Sequence, residues 1–287
     1  RRDGTGQVIS KDILYKITLN GDAANYSFNK GGTVTNAESG LELSATGKIE
    51  PKDISGAFKR VTKVYDRTKN VPTGAVRFDV GTAGGVISGD VVGLKAGYGA
   101  VFESPNVKGS GTSRVIGGET QHNWVNYTNV ELDGTDAGNY KITSDANGRL
   151  YGLGEITPLA LDADKFKVDG TDATKAYDGT SAYQLGGKKL MPTGTGLIGT
   201  DADHIKFETE GDGKFTDNSG SETPNAYEAT KVSYNVKAKA DNGHERLLGN
   251  YTLNGKTLES NDPIAVSGKG TITRRVLRLD LVQDSGI

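Results

Sequence analysis

The chain contains no cysteine, one methionine, one tryptophan and seven prolines in 287 residues. Without cysteine there are no disulfide staples and no thiolate metal sites, which fits the cytosol or a secreted bacterial protein that dispenses with disulfides. An excess of one charge is missing too: the formal net charge is −2, with acids and bases interspersed. That excludes the basic stripe of a nucleic-acid binder and a polybasic membrane patch. No apolar run approaches the length of a membrane span, so no bilayer insertion is expected. No secretory leader is visible, since Arg1-Arg2-Asp3-Gly4 reads as a polar loop. The stretch is therefore expected to be an interior piece, monomeric within a longer chain.

What is present points to β-structure. Forty-one glycines, with abundant Asp, Asn, Thr and Ser, imply many turns, while hydrophobic residues at 34% and aromatics at 7% suit small, thin cores. The length suits two to three domains of roughly 100 residues each. Apolar residues recur at period two, as in Ile13, Tyr15, Ile17 and Leu19, and again in Val76, Phe78 and Val80. No amphipathic helix longer than two turns is expected.

The chain repeats itself. Lys175-Ala176-Tyr177-Asp178-Gly179-Thr180 has a near-copy in Lys63-Val64-Tyr65-Asp66-Arg67-Thr68. In each, the tyrosine is expected to fill a core slot and Asp-x-Thr to form a tight turn, with Gly179 supplying a positive φ and the Asp side chain capping local amides. An Asn-Tyr word recurs at Asn25-Tyr26, Asn139-Tyr140 and Asn250-Tyr251, and a Gly-x-Ile word at Ile49, Ile156 and Ile272. All step by roughly 110 residues, a whole small domain and not a solenoid repeat. The phase divides the chain into 1–51, the C-terminal part of a unit; 52–158 and 159–273, two complete units; and 274–287, the start of another, with a strand at Val276–Leu281. Pro51 and Pro158 mark junctions without a Gly/Ser spacer, so the units are expected to stack stiffly, end to end, as a rod.

These words resemble the YDG and MBG-type domains found in tandem in large bacterial surface proteins, the two-partner-secretion exoproteins and filamentous adhesins. Lys175 to Thr180, Ser88-Gly89-Asp90, Asp133 to Tyr140 and Gly154 to Pro158 carry the resemblance, with Arg67 departing from the turn glycine. The resemblance implies an all-β fold of tandem small domains, Ig-like sandwich or β-grasp-like, at the bacterial cell surface or secreted. It implies a role in cell adhesion, biofilm formation or virulence, with no catalytic residue to carry over.

The candidate chemistry is sparse. Asp133, Asp136 and Asn139, like Asp201 and Asp203, crowd oxygens that weak calcium sites use, but the ligand spacing of an EF-hand is absent and turn capping is the preferred reading. No metal or cofactor is expected. The three histidines, His122, His204 and His244, fall in different segments, and no nucleophile-elbow word occurs, so an enzyme is not expected. Gln121-His122-Asn123-Trp124 holds the lone tryptophan, which either stacks on a ligand or opens the strand running on to Tyr127. Asn25, Asn126 and Asn250 match glycosylation acceptors, as chance matches in so Asn-rich a chain would.

The leading expectation is a structural stalk segment of a surface adhesin whose antiparallel ladders resist shear. Tyr65, Asp66, Tyr177, Asp178, Gly179, Tyr26, Tyr140 and Tyr251 are then core or junction residues. The alternative is a module that binds host glycans, matrix proteins or other bacterial cells through Trp124, His122, His244 and the 241–246 insertion. A stalk needs what the units share; a binding site should sit in what differs.

Overall fold

A computed structural model describes residues 10–279. Strand accounts for 43% of the described residues and helix for 7%, so the protein is all-β. The longest helical turn among the described residues is the 3-10 segment Glu245–Asn250. No described helix is long and apolar enough to cross a membrane.

The chain gathers into two compact units. The first takes the described residues up to Lys59 with Arg77–Gly99 and Tyr127–Leu150; the second takes Arg60–Val76, Ala100–Asn126 and the described residues from Tyr151 on. The second unit thus draws together residues 159–273 and three stretches of the 52–158 repeat.

In the first unit, Ser10–Ile17 pairs antiparallel with Leu41–Lys48, placing Tyr15 opposite Leu43. Ile13, Tyr15, Ile17 and Leu19, which recur at period two, are all exposed. A two-stranded sheet offers no second layer against which such a face can close. The core lies elsewhere in the unit: Ile54, Phe58, Phe78, Val86 and Tyr127 are buried. Phe58 stacks on Tyr127 with centroids 4.2 Å apart and leans on Phe78 at 4.9 Å. Tyr140–Lys141 pairs in parallel with Lys52–Asp53.

The second unit is built around Lys231–Ala240. One edge of this strand pairs antiparallel with Ile264–Thr273; the other pairs with Gly213–Thr216 near its start and Ile205–Thr209 near its end. Val232, Tyr234 and Val236 alternate into the core against Ile264, Val266 and Ile272. Phe166 meets Phe207 edge to face at 5.3 Å, and Tyr183 meets Phe215 at 5.6 Å, which fills a core poor in aromatics with few rings. Leu159–Leu161 runs parallel to Tyr251–Leu253, as Lys52–Asp53 runs beside Tyr140.

Two further parallel pairs carry the repeated words. Val61–Val64 lies along Gly154–Thr157, and Ala173–Ala176 along Gly270–Thr273. Each Tyr-Asp word therefore leaves from a strand held beside the strand that closes its own repeat. Antiparallel ladders were expected of a stalk in general; these two are parallel. The expected strand at Val276–Leu281 does not form over the described residues 274–279, where Val276, Leu277 and Leu279 are exposed; Leu281 lies outside the described residues.

Candidate functional site

The two Tyr-Asp words fold into the same turn. Lys63 Nζ donates to Asp66 Oδ1 at 2.6 Å, to the Thr68 carbonyl at 2.7 Å and to its hydroxyl at 3.0 Å. Lys175 Nζ does the same with Asp178 and Thr180 at 2.8, 2.7 and 3.0 Å. The backbone N–H of each threonine donates to its aspartate at 2.9 Å. Each ammonium also sits over a phenylalanine ring, Phe102 at 5.4 Å and Phe215 at 5.8 Å. The third residue of the turn is left-handed in both, Gly179 at φ 83° and Arg67 at φ 66°. Glycine adopts that conformation freely, whereas arginine does so at a cost of about 1 kcal/mol. The Arg67 side chain has contacts to offset it.

Those contacts build the site. Asp201, 2% exposed, takes a hydrogen bond from the Tyr65 hydroxyl at 2.8 Å and another from the Tyr251 hydroxyl at 2.7 Å, both on Oδ2. Its Oδ1 faces Arg67 Nε at 3.1 Å, and Arg67 Nη2 donates to the Thr200 hydroxyl at 2.6 Å. The two phenol rings meet edge to face at 5.4 Å, and the Ile198 N–H donates to the Tyr251 oxygen at 3.1 Å. Gly199 makes this packing possible: a Cβ there would stand 1.8 Å from Arg67 Nη1. Burial pushes both phenols far above their usual range, and the accepting Asp201 carboxylate pushes them further.

A polar seam continues from this point. Asn250, 1% exposed, accepts from the Val107 N–H at 2.9 Å and donates to Asn106 Oδ1 at 2.8 Å. Lys108 pairs with Glu259, and Arg246 donates to the Ser110 carbonyl. Residues 63–68 and 106–110 of one repeat are thus held to residues 198–201 and 246–259 of the next. Every buried polar group here has a protein partner, so the arrangement works as an interlock.

The same half-site occurs in the first unit. The Ile87 N–H donates to the Tyr140 hydroxyl oxygen at 2.9 Å, and that hydroxyl donates to Asp90 Oδ2 at 2.6 Å. Ile87, Asp90 and Tyr140 map onto Ile198, Asp201 and Tyr251 by one common displacement. Each tyrosine follows a 3-10 turn, Ala137–Asn139 or Glu245–Asn250, that delivers it in an extended conformation. Here Asp90 is half-buried and Asn139 exposed.

Of the tyrosines expected in cores or junctions, Tyr65, Tyr140 and Tyr251 are buried. Tyr177 is not: it is 41% exposed, and its hydroxyl has no hydrogen-bond partner among the described residues. Tyr26 is exposed as well, and no carboxylate among the described residues meets it. The core slot expected for every copy is filled only where another segment covers it.

Trp124 opens the strand Trp124–Thr128 and is 7% exposed. Its Nε1 donates to Asn126 Oδ1 at 3.0 Å, and the Arg114 guanidinium stands 5.4 Å from its ring while packing 3.6 Å from that of Tyr151. Its ring is therefore not an open stacking platform. His122 is exposed and lines a cleft of about 440 Å³ with Lys108, Arg246 and Glu259. His244 stacks on His204 at 3.6 Å, beside Asp241. Among the described residues no group of three or more His, Asp or Glu could hold a metal ion. Asp136, considered for calcium, accepts the Val91 N–H at 2.9 Å. Asn250, considered for glycosylation, is buried.

Sequence reasoning missed Arg67, Asn106 and Asn250 as partners, and took Asp201 for a turn cap or calcium ligand. The available signal was the spacing Ile-x-x-Asp, repeated in step with the Asn-Tyr word at Ile87–Asp90 and Ile198–Asp201. No family model, no curated protein and no solved structure matches the chain.

Proposed function

We propose that the chain is a structural stalk segment of a secreted or surface-anchored bacterial adhesin. Its small β units, Ig-like or β-grasp-like, would stack as a rod and project a distal binding region. The observation that carries this reading is the interlock of Tyr65 and Arg67 on Asp201 and Tyr251, because it fixes one repeat on the next without a flexible spacer. The parallel pairing of each Tyr-Asp strand with its closing strand also supports it. Tension applied at the two ends of a repeat would load those hydrogen bonds sideways, all at once, and not one after another.

The test is to stretch the chain from both ends as a single molecule. Well-separated, high-force steps are expected, with the force of one step lowered by Asp201→Ala. A featureless, low-force extension would end the proposal.

The cleft beside His122 favours a second reading, a module for host glycans or matrix proteins. Saturable binding on a glycan and matrix-protein screen, lost in His122→Ala and Arg246→Ala, would support it; no binding would remove it.

A further inference from the structure

The filled interlock shows what the unfilled word is shaped for. Tyr65 is 4% exposed because Asp201 and Tyr251 receive it. Tyr177 projects from a turn of the same form, closed by the corresponding lysine and threonine hydrogen bonds, and nothing receives it among the described residues. Ile87, Asp90 and Tyr140 form the receiving half-site complete in its own hydrogen bonds, and no second tyrosine hydroxyl reaches Asp90 among the described residues. Asp201 carries two phenols and a guanidinium; Asp90 carries one phenol.

The shapes also match. Where the turn carries Arg67, the receiving loop has Gly199, whose lack of a side chain leaves room for the guanidinium. At the corresponding positions the second turn has Gly179 and the first loop has Ser88. A turn without a side chain is matched by a loop that has one, and the exchange conserves the space between them.

We propose that Tyr177 of one copy of this chain enters the Ile87–Asp90–Tyr140 half-site of a second copy, joining copies head to tail. The Tyr177 hydroxyl donates to Asp90 Oδ2 beside Tyr140, as Tyr65 donates to Asp201 beside Tyr251. Asn139 takes the place of Asn250 at the edge of the contact. Lacking the Arg67 guanidinium, this contact is weaker than the internal one. The proposal rests on the stalk reading and goes beyond it: there the interlock joins repeats of one chain, and here it joins two copies of the chain.

Because the chain has no cysteine, the contact can be trapped cleanly. Gly179→Cys and Ser88→Cys are made in separate full-length chains; Arg67 shows that the turn accepts a side chain at the first position. The two are mixed with oxidised glutathione as oxidant. The expected result is a covalent dimer in the mixture, several-fold above that in either variant alone. It should fall to that background when Tyr177→Phe is added to the first chain or Asp90→Asn to the second. Both additions alter one polar group and keep the side-chain volume, so loss of folding does not account for a loss of dimer. A mixture at background, or a dimer indifferent to both additions, overturns the proposal. Stretching reads the stalk separately: a chain that resists force yet forms no mixed dimer loses this contact alone.

Discussion

Tyr65 and Tyr177 occupy the same place in the same turn, yet one is 4% and the other 41% exposed. The difference is not local. Both turns are closed by a lysine ammonium, an aspartate and a threonine at matching distances, so six residues suffice to specify the loop. Burial comes from a segment about 135 residues further on that brings Asp201 and its helical turn against Tyr65. The word is thus a preformed projection, and its environment is decided by whether a receiving half-site is present. Tyr177→Ala should accordingly leave the melting of the isolated chain in place, the opposite of what a core tyrosine would do.

The sharpest way to break this comparison is to remove the two receiving carboxylates in turn. Asp201→Ala strands two phenol hydroxyls and a guanidinium and should cost about 3–5 kcal/mol. Asp90→Ala strands one phenol in a half-exposed site and should cost about 1–3 kcal/mol. Chemical denaturation of the two variants measures both, and equal losses would show that the two sites are not filled differently. The tyrosines give a smaller contrast in the same direction. Tyr65→Phe deletes a buried hydrogen bond to a carboxylate, worth about 1.5–3 kcal/mol. Tyr177→Phe should stay within about 0.5 kcal/mol of the parent chain.

Alkali should open the filled site. Tyr65 and Tyr251 bind their protons more tightly when folded than the usual value near 10, because they are buried and donate to Asp201. A group whose folded pKa is raised contributes stability that is complete below its unfolded value and is lost as pH climbs above it. Stability should therefore hold to about pH 10 and fall beyond. The part of the phenolate absorbance that Tyr65→Phe and Tyr251→Phe remove should rise late and together with loss of fold. If that part rises with the fold intact, these phenols stand in water.

Much of the fold was legible because period-two patterning and turn residues are local signals. Val232, Tyr234 and Val236 alternate into the core as their spacing suggests. At Ile13 to Leu19 the same pattern marks a strand but no core, since alternation reports which residues share a face and not whether another layer covers it. The repeats were legible as words, and the junction was not. Nothing in Asp201 distinguishes a carboxylate that caps its own turn from one that receives two distant tyrosines. Asn250 likewise reads as a turn residue until Asn106 and Val107 are placed against it. Trp124 was ambiguous for the opposite reason: a lone aromatic beside a histidine fits a ligand platform or a strand, and only its burial in the strand, with Arg114 set 5.4 Å from the ring, tells them apart.

The gentlest probe of the comparison is acid, which acts on the turns themselves. The Lys175 ammonium, together with the Thr180 N–H and hydroxyl, holds Asp178 at about 2. At Asp66 burial pulls the other way, but Lys63 and Thr68 still keep the carboxyl below its usual range. A depressed carboxyl contributes stability above its unfolded value, near 3.9, and loses it as pH falls through the folded one. The Asp178 turn should therefore keep its contribution down to about pH 4 and surrender it by about pH 2. Because Asp178 is exposed, water screens the pair, and Asp178→Asn should change stability little at neutral pH, as loss of a surface ion pair does. Asp66→Asn should cost more, since Lys63 is buried beneath it and would lose its charged partner. The gap between the two variants should close as acid protonates the parent carboxyls. A gap that persists unchanged there would mean that Asp66 acts through its shape in the turn, and that the two words differ before any neighbour reaches them.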